Sequence, residues 1–319
     1  MALPDAAPDN YQAGYDRRWG GLRHAHVRAL AWLLDAPGLL DAHDPGWDHQ
    51  VMALEPVSPD VERWLYTLDH DPAPLDAAMG ARAFTRLGLY AEKLMAFYFQ
   101  TQGRLVAHGL QVRAGRNDTV GEFDFLLDAG VAGMAGLDHV ELATKFYLLQ
   151  PHGPAGLDAL VGPNLADSLG AKMRKIIDRQ LALGRHPAAQ ALLARPVLRA
   201  QALVKGWLFY PHDASAVAAR RGIAPGHCRG FWCALDDIPM LPDGAFVILP
   251  KLQWLAPYRG ADDASVLTRA ALSATLAAQF AASGNPVLVA QVRQAGGAAV
   301  ETGRGFIVPA PWRALAAAL

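Results

Sequence analysis

Residues 121–149 read GEFDFLLDAGVAGMAGLDHVELATKFYLL, and this stretch decides the fold. Its two ends are rich in β-branched and aromatic residues, which favour strands. A Gly-rich segment at about 128–137 separates the two ends. The pattern predicts two antiparallel strands, 121–127 and 139–149, joined as a hairpin.

Acidic side chains share one face of this predicted hairpin. Asp124 and Glu122 alternate with phenylalanine on the first strand, whereas Glu141, Ala143 and Lys145 share a face of the second. If the two strands pair symmetrically about the Gly-rich segment, Asp124 lies opposite Glu141, and Glu122 lies opposite Ala143. Like charges at opposed positions repel, so the pattern favours a divalent cation that neutralises them.

The residue types indicate the chemistry of such a site. Carboxylate oxygens of Asp124, Glu141 and Glu122 suit Mg²⁺ or Mn²⁺. Lys145 would orient a water or stabilise the charge of a phosphodiester under attack. The alternative is that the same side chains form the solvated polar face of a half-buried hairpin.

Glu92 bears on this choice. It lies beside Met95 and Phe99 in a predicted helix that is apolar around most of its circumference. A carboxylate placed there is partly buried and needs a partner, which makes Glu92 a further candidate for the site. The alternative is that Glu92 reaches solvent or pairs with Arg86.

The periodicity divides the chain into three parts. A helix at 81–100, strands at 104–113, 121–127 and 139–149, a helix from Asp167 or Ser168 and a strand at 202–210 form an α-β-β-β-α-β core over residues 81–211. Residues 1–80 are expected to form a loose tail to about residue 20, a short helix at 27–34 and an irregular stretch at 42–80. Residues 212–319 are expected to form a smaller C-terminal α+β region, with strands at 245–250, 287–293 and 305–308 and a helix at 264–282.

A basic segment follows the candidate site in the chain. Residues 171–205 contain eight basic residues against one acid, Asp178. The pattern predicts contacts from Lys172, Lys175 and Arg179 to the phosphates of DNA or RNA. The alternative is a solvated helix face that balances acids elsewhere.

Composition limits the class of protein. The chain has 319 residues, 52% of them hydrophobic, and a formal net charge of -1, which predicts a globular protein without a uniformly basic surface. Only two cysteines occur, and no secretory leader or apolar stretch of membrane-spanning length is visible. We therefore expect a cytoplasmic protein that does not enter a membrane.

The motifs carry two resemblances. Glu in the first core helix, Asp in the second strand, and Glu and Lys in the third resemble the PD-(D/E)XK nuclease-like core of restriction and repair nucleases. The runs LGLYAEKLMAFYFQ, GEFDFLL, HVELATKFYLL and GPNLADSLGAKMRKIIDRQL also resemble an uncharacterised bacterial family, domain of unknown function number 1853. The second resemblance extends from VRALAWLL at Val27 to FIVPAPW at Phe306–Trp312, and it implies no established activity.

The nuclease resemblance implies a metal-dependent nuclease that acts on DNA or RNA, with an α/β fold. The nuclease pattern has its acid and lysine two positions apart, whereas Glu141 and Lys145 are four apart and Ala143 stands at the expected acidic position. Four residues of strand span about 13 Å, too far for one metal shell. Either Glu141 serves as a migrated acid or Glu122 fills the space over Ala143. The alternative function is an inactive nuclease-like module that binds nucleic acid or a protein.

Overall fold

The computed structural model describes residues 10–116, 118–129, 135–151, 153–214, 220–261 and 265–318. The helices are α1 (Tyr11–Trp19), α2 (Ala25–Asp35), α3 (Pro59–His70), α4 (Ala73–Met79), α5 (Leu87–Thr101), α6 (Leu169–Lys175), α7 (Pro187–Leu192), α8 (Arg269–Ala282) and α9 (Trp312–Ala317). The strands are β1 (Val51–Met52), β2 (Leu105–Gly115), β3 (Asp118–Asp128), β4 (Leu137–Leu149), β5 (Leu160–Val161), β6 (Val197–Pro211), β7 (Cys228–Ala234), β8 (Ala245–Ile248), β9 (Arg259–Ala261), β10 (Leu267–Thr268), β11 (Val287–Ala295) and β12 (Ala298–Val308).

These strands join in one mixed sheet. Its order is β10-β8-β11-β12-β7-β6-β4-β3-β2, with β1 beside β6, β5 beside β4 and β9 beside β12. The central strands β12, β7, β6 and β4 run parallel to one another, and the flanking pairs are antiparallel. Parallel strands are covered on both faces, which accounts for the nearly continuous burial of β4 and for the buried run 202–210 of β6.

The fold is a mixed α/β fold, and the order of elements predicted for residues 81–211 is present. Helix α5, strands β2, β3 and β4, helix α6 and strand β6 follow one another, with the two-residue β5 between β4 and α6. Helix α6 begins as predicted, because the Ser168 side chain accepts a hydrogen bond from the Ala171 N–H. A π-helical turn, Ile176–Gln180, extends it. Part of the predicted Gly-rich loop, residues 130–134, lies outside the described residues.

Two expectations for the first 80 residues are wrong. Residues 11–19 are not a loose tail, because they form α1, which buries Tyr15 and Trp19 against the core. The stretch 42–80 is not irregular, because it contains α3 and α4. The Ser58 side chain caps α3 and Pro59 occupies its first turn, a helix-start signal that the sequence already carried.

The C-terminal strands extend the same sheet. The strands expected near 245, 287 and 305 are present, but β7 was not expected, and it lies between β6 and β12 in the sheet. The helix expected at 264–282 begins at Arg269. The division of the chain at residue 211 stays a prediction, and the strands on either side of it are hydrogen-bonded neighbours.

Among the described residues, no helix combines the length and the apolar character needed to cross a bilayer.

Candidate active site at the parting of two strands

Strands β3 and β4 part at the position of the predicted acids. The two strands pair from Asp128 opposite Leu137 to Phe125 opposite Val140, and the ladder then ends. The next residues along the same register are Asp124 and Glu141, the two residues that the sequence predicted to lie opposite each other in the hairpin. In place of a ladder bond, the Leu142 N–H donates to Oδ2 of Asp124 at 2.9 Å. The Asp124 carboxylate therefore occupies the point where the strands separate.

Glu141 is buried beside it and is hydrogen-bonded at both oxygens. Its Oε1 lies 2.7 Å from Nε2 of His139, and its Oε2 accepts from the side-chain amide of Gln180. Gln180 ends the π-helical turn after α6, so the helix that covers this face of the sheet supplies the second contact. Because Glu141 is 1% exposed, these protein groups replace water as its donors.

Glu92 and Lys172 complete a cluster of four titratable side chains, which we call the acidic cluster: Glu92, Asp124, Glu141 and Lys172. Burial, Glu141 and Glu92 raise the pKa of Asp124 to about 8, against smaller opposing effects from the Leu142 N–H and Lys172. Burial, together with Glu122 and Glu141, also raises the pKa of Glu92. Burial and two neighbouring lysines lower the pKa of Lys172, which the carboxylates partly offset.

Perturbed groups of opposite charge concentrated in one place are typical of functional sites. Lys172 also donates to Oε1 of Gln180 at 3.3 Å. Lys172, Gln180 and Glu141 therefore form one chain of polar contacts that reaches from α6 into the sheet.

Lys145 has a different partner from the one that the sequence suggested. Its Nζ lies 3.2 Å from Oδ2 of Asp167, an oxygen that also accepts from the Tyr147 hydroxyl. The cation that affects the pKa of both Asp124 and Glu92 is Lys172, a residue that the sequence had assigned to phosphate contacts. Lys145 lies four positions beyond Glu141 along β4, and at that point its neighbour is Asp167.

Glu122 does not fill the space over Ala143. Its side chain is exposed, because β3 has already left β4 at that position. Ala143 instead packs in a buried apolar cluster with Tyr147, Leu169 and Met173. Of the two ways to restore an acid at this position, the structure brings Glu141 rather than Glu122 beside Asp124.

The basic residues of the segment differ in their surroundings, and Lys205 is buried. Three arginines make ion pairs: Arg174 with Asp158, Arg195 with Asp128, and Arg199 with Asp138. Lys175, Arg179 and Arg185 are exposed. Two adjoining cavities of about 540 and 260 Å³ share Arg185 and Arg199 in their walls.

The donor set suits a hard divalent cation in its chemistry. Three carboxylates surround the parting of the strands, and their mutual repulsion, added to burial, raises the pKa of Asp124. A cation would relieve that repulsion. As the side chains stand, no three His, Cys, Asp or Glu residues of the described part are grouped so that they could hold a metal ion. A metal shell would therefore have to form by movement of these side chains.

Sequence reasoning missed two contacts of the candidate site. His139 precedes Glu141 by two residues, so alternation along the strand was a signal that the two side chains share a face. Nothing local pointed to Gln180, because it is 39 residues away from Glu141.

Comparison with known proteins gives one match. Residues 28–308 match the model of a family described as Domain of unknown function (DUF1853). Neither the curated proteins nor the solved structures include a match.

Proposed function

We propose that this chain, which belongs to the DUF1853 family, is a metal-dependent phosphodiesterase that cleaves DNA or RNA at the acidic cluster. The observation that carries the proposal is the placement of Asp124 at the point where β3 and β4 part, next to the buried Glu141, and there burial and the Glu141 and Glu92 carboxylates raise its pKa. Keeping like-charged carboxylates together costs stability, and such costly arrangements are typical of functional sites.

Each member of the cluster has a role in this proposal. Asp124, Glu92 and Glu141 would hold Mg²⁺ or Mn²⁺, and a bound ion of this kind polarises a phosphoryl oxygen and lowers the pKa of water. Asp124 must release its proton before it can bind a cation, because its pKa lies near 8. If Glu141 is also to bind the cation, the Gln180 amide must release the carboxylate oxygen to which it donates. Lys172 offers positive charge to the phosphodiester.

A second function, an inactive nuclease-like module that binds nucleic acid, is favoured by a different observation. Both oxygens of Glu141 are already hydrogen-bonded, and Lys145 is engaged by Asp167. In this alternative the carboxylates serve the fold, and the exposed basic residues Lys175, Arg179 and Arg185 contact phosphates.

Cleavage assays decide between the two. Wild-type protein is incubated with single-stranded DNA, duplex DNA and RNA in Mg²⁺, in Mn²⁺ and in EDTA, beside Asp124→Asn and a matched control, Asp128→Asn. Asp128 lies on the same strand and is exposed. We expect cleavage that EDTA and Asp124→Asn reduce by at least about a hundredfold, and that the control retains. Salt-sensitive binding without cleavage in any condition would establish the inactive module instead.

A further inference from the structure

A cleft of about 480 Å³ opens beside the C-terminal half of β4. Its polar lining includes Thr144, Lys145, Asn164, Asp167, Lys251 and Asn285. None of these residues belongs to the acidic cluster. They come from four separate parts of the chain, so tertiary packing alone assembles this polar wall.

The cleft lies along a gap in the sheet. Strand β4 pairs with β3 only as far as Val140 and with β5 only from Leu148, so in the described part no strand lies beside Glu141–Tyr147 on that edge. The Leu142 N–H faces this edge, where Asp124 accepts it. Alternate residues direct their backbone polar groups to the same side of a strand. Thr144 and Phe146 therefore present backbone donors and acceptors to the gap.

One side chain in the cleft lacks a partner. The hydroxyl of Thr144 is buried, and it makes no hydrogen bond among the described groups. A buried hydroxyl without a partner costs free energy, and native proteins leave few of them. Because the oxygen itself has almost no exposed surface, a ligand oxygen would reach it only after the Thr144 side chain rotates towards the cleft.

The charge of the lining favours an anion. Two lysines and one aspartate line the cleft, and Lys145 already shares its charge with Asp167 at 3.2 Å. Lys251 is exposed, on a short 3-10 turn. The amides of Asn164 and Asn285 add neutral donors to the same wall. A phosphate group would take donors from lysine, amide and hydroxyl together.

Aromatic side chains form another wall of the cleft. Trp254 is half-buried, and its ring meets Phe146 edge to face at 5.5 Å between centroids. Both residues line the cleft. Phe146 is buried, so Trp254 is the ring on which a nucleobase would stack, whatever the identity of the base. Phosphate donors beside an aromatic surface are suited to a nucleotide.

We propose that this cleft binds the terminal phosphate and the adjoining base of a nucleic-acid strand whose interior phosphodiester lies at the acidic cluster. The inference rests on the proposed function and adds the part of the substrate that the chain recognises. Lys145 lies four residues, or about 13 Å, beyond Glu141 along β4. This separation is larger than one nucleotide covers, so the strand must extend beyond its terminal nucleotide to reach the acidic cluster.

The test measures binding in EDTA, so that it does not depend on cleavage. Short thymidine oligonucleotides with a 5′-phosphate, a 3′-phosphate or no terminal phosphate, each with an internal fluorescent label, are titrated with protein and followed by anisotropy. We expect one phosphorylated form to bind about tenfold more tightly than the unphosphorylated form. Lys251→Gln and Thr144→Val should each reduce that preference. Arg293→Gln, an exposed charge loss on β11 away from the cleft, should retain it.

A competition experiment distinguishes the phosphate at a strand end from that of a free mononucleotide or of inorganic phosphate. Thymidine monophosphate and inorganic phosphate are added at concentrations that match the oligonucleotide, and we expect neither to displace it. Displacement by the mononucleotide at equal concentration would overturn the assignment to a strand end.

Equal affinity of the wild type for all three oligonucleotides would overturn the phosphate site itself. A terminal-phosphate preference in a protein that cleaves nothing would uphold the cleft and reject the phosphodiesterase. Thr144→Val also serves as a folding control, because removal of an unpartnered hydroxyl should leave the thermal unfolding midpoint unchanged or higher.

Discussion

The imidazole Nε2 of His139 lies 2.7 Å from Oε1 of Glu141, two residues further along β4, and both side chains are buried. The His139 ring also meets Phe123 of β3 edge to face, with centroids 4.7 Å apart. The pair therefore fixes the carboxylate that stands next to Asp124 and ties it to the strand from which β4 parts. The position of Glu141 thus depends on His139 as well as on the sheet.

Replacement of His139 should lower the stability of the protein. His139→Leu keeps the volume but leaves the buried carboxylate with Gln180 as its remaining side-chain donor, so we expect the free energy of unfolding to fall by about 2–4 kcal/mol. In the double variant His139→Leu with Glu141→Met, the loss should be smaller than the sum of the two single losses by at least about 1 kcal/mol. Urea unfolding of the four proteins measures this coupling, and strictly additive losses would show that the pair contributes no interaction of its own.

Stability should fall as the pH rises through the neutral range. The pKa of Asp124 is about 8 in the folded protein, whereas an unfolded aspartate titrates near about pH 4. Between these values the folded state holds a proton that the unfolded chain has released, so the free energy of unfolding decreases with pH and levels off above about pH 8. Asp124→Asn should remove most of this decrease, on the order of a few kcal/mol, and leave the part due to Glu92.

Denaturant unfolding across this pH range tests the assignment to Asp124. Asp128→Asn is the matched control, because Asp128 is exposed and lies on the same strand. An identical slope in wild type and Asp124→Asn would mean that another group titrates.

The two lysines should differ in their effect on the acidic cluster. Lys172 lowers the pKa of Asp124 and of Glu92, so Lys172→Met should raise the pH at which stability levels off. Lys145→Met should instead remove the ion pair with Asp167 and leave the pH at which stability levels off nearly unchanged. The same pH series measures both, and a larger shift for Lys145→Met would return the role to the residue that the sequence favoured.

Nucleic-acid binding should depend on salt through the exposed basic residues. Charge reversal at Lys175 and Arg185 should weaken binding and reduce the slope of log affinity against log salt by about 0.7–0.9 for each phosphate that the variant no longer neutralises. Anisotropy titrations at several salt concentrations give the slope, with Arg293→Glu as the control for a distant charge. A slope that Lys175→Glu and Arg185→Glu leave unaltered would assign these residues to a solvated surface.

Elements with local signals can be predicted without the structure. The alternation of 121–149 predicts β3 and β4, and equal hairpin arms place Asp124 next to Glu141, because side chains of a strand alternate with a period of two and a hairpin sets its own register. Ser168 likewise predicts the start of α6 from a capping rule that needs only four residues. Helix α3 carries a similar local signal at Ser58, although an irregular stretch was expected there.

Contacts between residues far apart in the chain depend on how the helices and strands pack. Gln180 reaches Glu141 from 39 residues away, and β7 enters the sheet between β6 and β12 through parallel pairing, which leaves no mark on local sequence. The same is true of Lys172, which lies on a helix in a basic segment and yet faces the acidic cluster. Period and turn rules act over a few residues, whereas the packing of α6 on the sheet sets the side chains around a carboxylate and therefore its pKa.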